Sequence, residues 1–103
     1  MRGLTILVAT ADAERFRMAL TLAAANAALG GRTRVYLHEA AVALLGTDEP
    51  LIATAMETGA TLIACQTGLA IAEMDASALP EGVETGGLVG ILADLGDDQL
   101  TTV

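Results

Sequence analysis

Cys65 is the single cysteine in the chain, and its setting gives it chemical interest. It follows the β-rich run Ala60 to Ala64 (ATLIA) and precedes a helical stretch that opens with Gln66, Thr67 and Gly68. The first N–H groups of a helix lack intrahelical partners, and the helix dipole favours negative charge beside them. The Thr67 and Gly68 N–H groups would therefore hold the sulfur as thiolate and draw its pKa below the free value of ~8.5. A thiolate is the nucleophile of sulfur transfer and of thiol redox chemistry. The plainer alternative is a buried cysteine packing as a small hydrophobe.

His38 is the only histidine and ends a second β-rich run, Thr33 to Leu37 (TRVYL). There it can hydrogen-bond a thiolate or act as general acid and base. Its plainer role is to cap a loop or face water. Glu39, beside it, either joins the same pocket or caps the helix that follows. In open parallel α/β sheets, ligands sit beyond the carboxyl ends of the strands. That rule gathers three loops, Thr10 to Asp12, His38-Glu39 and Cys65 to Gly68, into one constellation. Cys65 and His38 are its candidate reacting groups. Thr10, Glu39, Gln66, Thr67 and Gly68 are its candidate thiolate-stabilising or pocket residues.

Other chemistries find little footing. A metal site needs several converging ligands, and one Cys and one His without close spacing do not supply them. The glycine pairs Gly30-Gly31 and Gly86-Gly87 make neither a Walker A loop nor a dinucleotide fingerprint. Thr10-Ala11-Asp12-Ala13, after the first strand, lacks the glycines that let backbone approach a pyrophosphate. No cofactor is expected. Ser77, the only serine, lies outside any nucleophile-elbow pattern. Met18, Met56 and Met74 read as core filler, and Asp97-Asp98 as a solvated turn.

The net charge is −8, with five Arg, no Lys and 13 acidic residues. Arg2, Arg15, Arg17, Arg32 and Arg34 are scattered, whereas a phosphate backbone is bound by clustered positive charge. Neither nucleic acid nor an anionic membrane surface is an expected partner. No apolar run reaches the ~18 residues of a spanning helix. The first residues show no signal-peptide pattern, so with one unpaired cysteine a reducing cytoplasm is the expected location.

These groups must be positioned by the rest of the chain. It has 103 residues, one domain's worth, of which 53% are hydrophobic and 2% aromatic. The core must therefore be built from Ala, Leu, Val and Ile around Phe16 and Tyr36. So short a chain buries only ~60–70% of its unfolded surface, which makes self-association a source of extra burial. Short β-rich runs alternate with helical stretches, the pattern of an α/β fold with parallel strands.

Leu4 to Ala9 reads as a buried strand. A helix follows over Ala13 to Leu29, capped by Thr10 or Asp12, with Phe16, Leu20, Ala23, Ala24 and Ala27 at helical spacing. Gly30-Gly31 stops it. After the strand Thr33 to Leu37, a short helix spans Ala40 to Leu45. Another, with Pro50 in its first turn, runs to Thr58 and ends at Gly59. The third strand is Ala60 to Ala64, followed by a helix over Thr67 to Met74. Ser77 to Gly82 is loop. Val83 to Thr85 is a very short fourth strand, Leu88 to Leu95 a helix, and Gln99 to Val103 a final edge strand.

The sequence resembles the DsrE/DsrF/TusD-like family of small sulfur-relay proteins. The likeness lies in LTILVAT from Leu4, VYLHEAAVALL (Val35 to Leu45) and GATLIACQTGLA from Gly59. It lies most of all in the tail LPEGVETGGLVGILADLGDDQLTTV from Leu79. It covers most of the chain, and the order and spacing of these blocks carry it. It implies a three-layer α/β/α domain around a five-stranded, mostly parallel sheet, assembled as homo- or hetero-oligomers such as trimers or hexamers. It also implies that Cys65 takes up sulfur as a persulfide from a donor protein and passes it to an acceptor protein. Two departures stand out. The Arg-Gly pair that many relatives carry after the cysteine helix is here Ile71-Ala72-Glu73-Met74, and the loops are short. Two other functions fit the sequence less well. One is an interaction subunit in which Cys65 only packs. The other is a redox sensor, which would need a partner's resolving thiol.

Overall fold

Leu4–Val8 (β1), Thr33–Leu37 (β2) and Thr61–Cys65 (β3) alternate in register, so their residues sort onto two sheet faces. The computed structural model describes residues 1–103. With Glu84–Gly86 (β4) and Gln99–Thr102 (β5), the strands form one sheet in the order β4-β3-β2-β1-β5. Every pairing is parallel.

One face carries Leu4, Ile6 and Val8 beside Val35, Leu37, Leu62 and Ala64, all buried. The helix α1 (Ala13–Ala28) lies on β1 and β2, and α2 (Leu51–Thr58) packs along α1. Phe16, Ala19, Leu20 and Ala23 form the buried stripe of α1. Burying each large aliphatic side chain contributes roughly 1.5–3 kcal/mol. The α1 cap is Asp12, whose carboxylate accepts from the Arg15 N–H at 2.9 Å, while Thr10 is exposed and caps nothing. Gly30, at φ +90°, takes the left-handed turn that ends this helix.

Successive crossovers from β1 to β4 step in one direction, and the last connection returns across the sheet to β5. Right-handed connections then put the helix α4 (Leu88–Ala93) on the opposite face and complete three layers. That second face holds Thr5, Arg34, Tyr36, Ile63 and Cys65. It is polar at one end because the Arg34 guanidinium is buried there. It donates to Thr5 Oγ1 at 3.0 Å and to the Ile91 carbonyl of α4 at 3.3 Å.

Two expectations need correcting at this end. Asp97-Asp98 is not simply a solvated turn. The Asp98 side chain is 7% exposed, accepts from Thr5 Oγ1 at 3.2 Å and lies 3.5 Å from Arg32 Nε and 3.8 Å from Arg34 Nη2. The fold thus gathers Arg32 and Arg34, which look scattered in sequence, around Asp94 and Asp98. Met18 is likewise not core filler, since it is exposed on α1, whereas Met56 and Met74 pack against the core.

The segment after β2 also differs from expectation. It is a 3₁₀-helix over Glu39–Gly46, longer than is common for that geometry. Its buried residues Ala41, Val42, Leu44 and Leu45 pair at a spacing of three, the period at which 3₁₀ side chains eclipse. This segment packs on α3 (Gln66–Ile71), which is shorter than the sequence suggests. The loop after α3 contains a 3₁₀ turn at Ala76–Ala78.

Candidate functional site

Cys65 is the last residue of β3 and the cap of α3 at once. Its extended backbone (φ −62°, ψ 124°) turns the sulfur back over the first turn, where the Gly68 N–H donates to Sγ at 3.3 Å. The nearby Tyr36 hydroxyl and the Glu39 and Thr67 N–H groups also favour the thiolate. Burial pushes the thiol pKa up, but these four groups outweigh it. The net result lies below the ordinary thiol value. The same burial, together with the hydrogen bond to Cys65, drives Tyr36 far above the usual phenol range. Its phenol therefore stays protonated and remains a donor.

Two backbone features hold this arrangement. Glu39 adopts φ +45°, a conformation that costs a non-glycine residue about 1–2 kcal/mol. Glu39 is the first residue of the 3₁₀-helix, and its N–H is among the groups that favour the Cys65 thiolate. Gly68 permits the close approach of α3 to the same turn. A Cβ there would collide with the Glu39 carbonyl oxygen and come within 2.6 Å of Val42 Cγ2. Glycine is a poor helix former, yet its missing side chain is here what lets the helix dock.

Cys65 is only 6% exposed, yet it opens onto a cavity of about 230 Å³. The walls are Tyr36, His38, Glu39, Gln66, Thr67, Gly86, Gly87 and Leu88, at the carboxyl ends of β2, β3 and β4. Of the expected residues, the fold brings together Cys65, His38, Glu39, Gln66, Thr67 and Gly68. Thr10 is the exception: it is exposed beyond β1 and lines no part of this cavity. His38 has a half-exposed side chain whose Nε2 lies 3.4 Å from Glu39 Oε1. Its Nδ1 is buried with no hydrogen-bond partner, and its ring centroid is 6.2 Å from that of Tyr36.

Sequence reasoning missed Tyr36, Gly86, Gly87 and Leu88. Tyr36 was within reach, because residues two apart on a strand share a face. It stands on β2 two residues before His38 and pairs with Ile63, two residues before Cys65 at the end of β3. The glycine pair and Leu88 depend on β4 lying next to β3, which no local pattern reveals. A second, apolar cavity of about 90 Å³ shares Tyr36, His38 and Leu88 with the first and is closed by Leu7, Ala9 and Thr102. No cluster of three or more metal-ligating side chains is present. No helix is long and apolar enough to cross a membrane.

These features define a parallel α/β domain with a lone, hydrogen-bonded thiol at the carboxyl edge of its sheet. The sequence matches no protein-family model and no curated protein. The fold is shared with solved structures. The protein of unknown function MTH1491 from Methanobacterium thermoautotrophicum superposes with a TM-score of 0.80 at 19% identity, over 100% of both chains. BT1422 from Bacteroides thetaiotaomicron, a conserved protein of unknown function, gives 0.73 at 17% identity over 96% of this chain and 94% of its own.

Proposed function

We propose that this protein is a sulfur carrier that loads a sulfane sulfur onto Cys65 and hands it to an acceptor thiol, as members of the DsrE-like family do. The observation that carries this reading is a free thiol at a cavity wall that accepts from the Gly68 N–H at 3.3 Å and whose pKa lies below the ordinary thiol value despite its burial. A cysteine that merely packs requires neither. In loading, the Cys65 thiolate attacks the outer sulfur of a donor persulfide, D–S–SH. The new S–S bond leaves Cys65–S–SH and releases D–S⁻, so no external oxidant is consumed. The donor and acceptor are proteins, the compartment is a reducing cytoplasm, and the chain works as a homo-oligomer. His38 stands at the cavity wall as the group that exchanges protons with the incoming thiol.

A second reading, an interaction subunit, is favoured by the low exposure of Cys65 and by the apolar outer surface of α4. Mass spectrometry after incubation with a persulfide donor separates the two. The carrier gains the mass of one sulfur atom, and Cys65→Ser gains none. Equal uptake by Cys65→Ser, or none by the wild type, selects the interaction subunit. Iodoacetamide should also alkylate the native thiol with a midpoint below the free-thiol value of ~8.5.

A further inference from the structure

The two edges of the sheet are built differently. An edge strand exposes unpaired backbone groups, and proteins blunt it with charge, proline, a bulge or shortness. β4 follows that rule, with three residues and an exposed Glu84. β5 does not. Gln99, Leu100, Thr101 and Thr102 carry no charge, and all but Thr101 are exposed. The register of β5 on β1 runs without a bulge from Leu4↔Gln99 to Leu7↔Thr102. Its hydrogen bonds show which backbone groups are free. The Gln99 N–H donates to the Gly3 carbonyl and the Val103 N–H to the Leu7 carbonyl, both at 2.8 Å. Backbone groups alternate in direction along a strand, so the N–H and carbonyl of Leu100 and Thr102 face outward.

Beside this edge, on the α1 side of the sheet, runs an open groove of about 490 Å³. Leu22, Ala25 and Leu29 of α1 form one wall, Gln99 and Thr101 the other, and Leu4 also lines it. From Met18 to Gly31 the chain has no charged residue, although Met18, Ala25 and Leu29 are exposed. A solvated helix face normally carries charge, so this one is suited to being covered.

We propose that β5 is a strand-addition edge. It takes an extended segment of a partner protein, apolar at alternate positions and net positive, as a sixth strand. Outward donors and acceptors two residues apart match an extended backbone. A strand added ~4.8 Å beyond β5 turns every second side chain to the α1 side, into the groove. Main-chain bonds then supply affinity, and the groove supplies specificity. The charge of the occupant follows from the net charge of −8, which attracts a cationic segment and repels a second copy. A second copy's β5 would also present polar Gln99 and Thr101 to an apolar groove. The proposal does not depend on what Cys65 carries.

The probe is a capped peptide, Lys-Val-Thr-Val-Thr-Val-Lys, titrated to millimolar concentration into ¹⁵N-labelled protein. The Leu100 and Thr102 amides should exchange rapidly with water in the free protein, then shift and become protected on binding. Two N-methylated versions test the geometry, one methylated on the valine nitrogens and the other on the threonine nitrogens. Neighbouring N–H groups of a strand point opposite ways. One version should therefore lose about tenfold in affinity while the other binds like the parent. Leu100→Pro removes an outward N–H and leaves the β1 ladder intact. It should keep the wild-type circular dichroism spectrum and bind severalfold more weakly, and the methylated pair keeps the test decisive if this variant folds poorly. No response of Leu100 and Thr102 at millimolar peptide, or equal affinity of the two methylated versions, overturns the proposal. Protection of both amides in the protein alone, lost on dilution, puts a second copy on this edge and overturns the assigned partner.

Discussion

At the scale of single residues, the site depends on how closely two backbone segments approach. Gly68 donates to the sulfur and rests against Glu39, so its missing side chain sets the distance between α3 and the 3₁₀-helix. In Gly68→Ala the new methyl meets a backbone carbonyl, which cannot rotate away as a flexible side chain would. Overpacking of this kind costs typically ~1–3 kcal/mol. We expect a loss of that size in urea unfolding. We also expect slower alkylation of Cys65, because relief of the clash moves the Gly68 N–H off the sulfur. Normal stability with normal thiol reactivity would contradict the contact. Gly90, on the exposed part of α4, has open space around a built Cβ and serves as the control position.

At the scale of elements, α4 is six residues long and buries only Ile91, too little to hold a helix by apolar contact alone. Its attachment comes from charge. Arg34 reaches the Ile91 carbonyl, Arg32 Nη2 pairs with Asp94 at 2.8 Å, and Asp98 closes the group from the following turn. Removing Asp98 takes away the acceptor of the Thr5 hydroxyl and leaves the buried Arg34 guanidinium with only Asp94, at 3.5 Å, as counter-ion, and hydrogen bonds to charged groups are worth ~1.5–3 kcal/mol. Asp98→Ala should therefore lower stability by about that amount, while Asp97→Ala next door stays within about 0.5 kcal/mol, as exposed substitutions do. Chemical denaturation of the pair checks this, and equal effects would refute the tether. The neighbouring acids illustrate what the sequence conceals. Runs such as Leu4 to Val8 and Thr33 to Leu37 are legible as strands because apolar, β-branched residues cluster locally. The return of β5 beside β1 is not local, so nothing in Asp97-Asp98 distinguishes the buried acid from the exposed one. For the same reason the Cys65, His38 and Glu39 grouping is legible from strand ends, whereas the Gly86, Gly87 and Leu88 wall is not. Thr10 is misplaced because β1 ends on the far side of β2 from β3.

At the scale of the molecule, the two sheet faces are unequally covered. One lies beneath α1 and α2, the other beneath α4, which leaves Leu88, Val89 and Leu92 exposed. Leu100 of β5, in register with Thr5, is exposed on that same face. Exposed apolar residues gathered on one side mark an interaction surface, and the homo-oligomer proposed above would use this one. Leu88 also walls the Cys65 cavity, so a second copy seated on α4 would narrow the route by which an acceptor reaches the sulfur. Opposing this assembly is a net charge of −8 on every copy. Salt screens such repulsion, with a Debye length of ~10 Å at 0.1 M, and leaves apolar contact intact. Sedimentation at micromolar concentration should thus give a species several times 10.4 kDa, with association strengthening as salt rises. Val89→Glu or Leu92→Glu should shift it to the monomer with an unchanged circular dichroism spectrum, because neither side chain is buried in the single chain. A monomeric wild type at every salt concentration would remove self-association. Dissociation on adding salt would point instead to a polar interface away from α4.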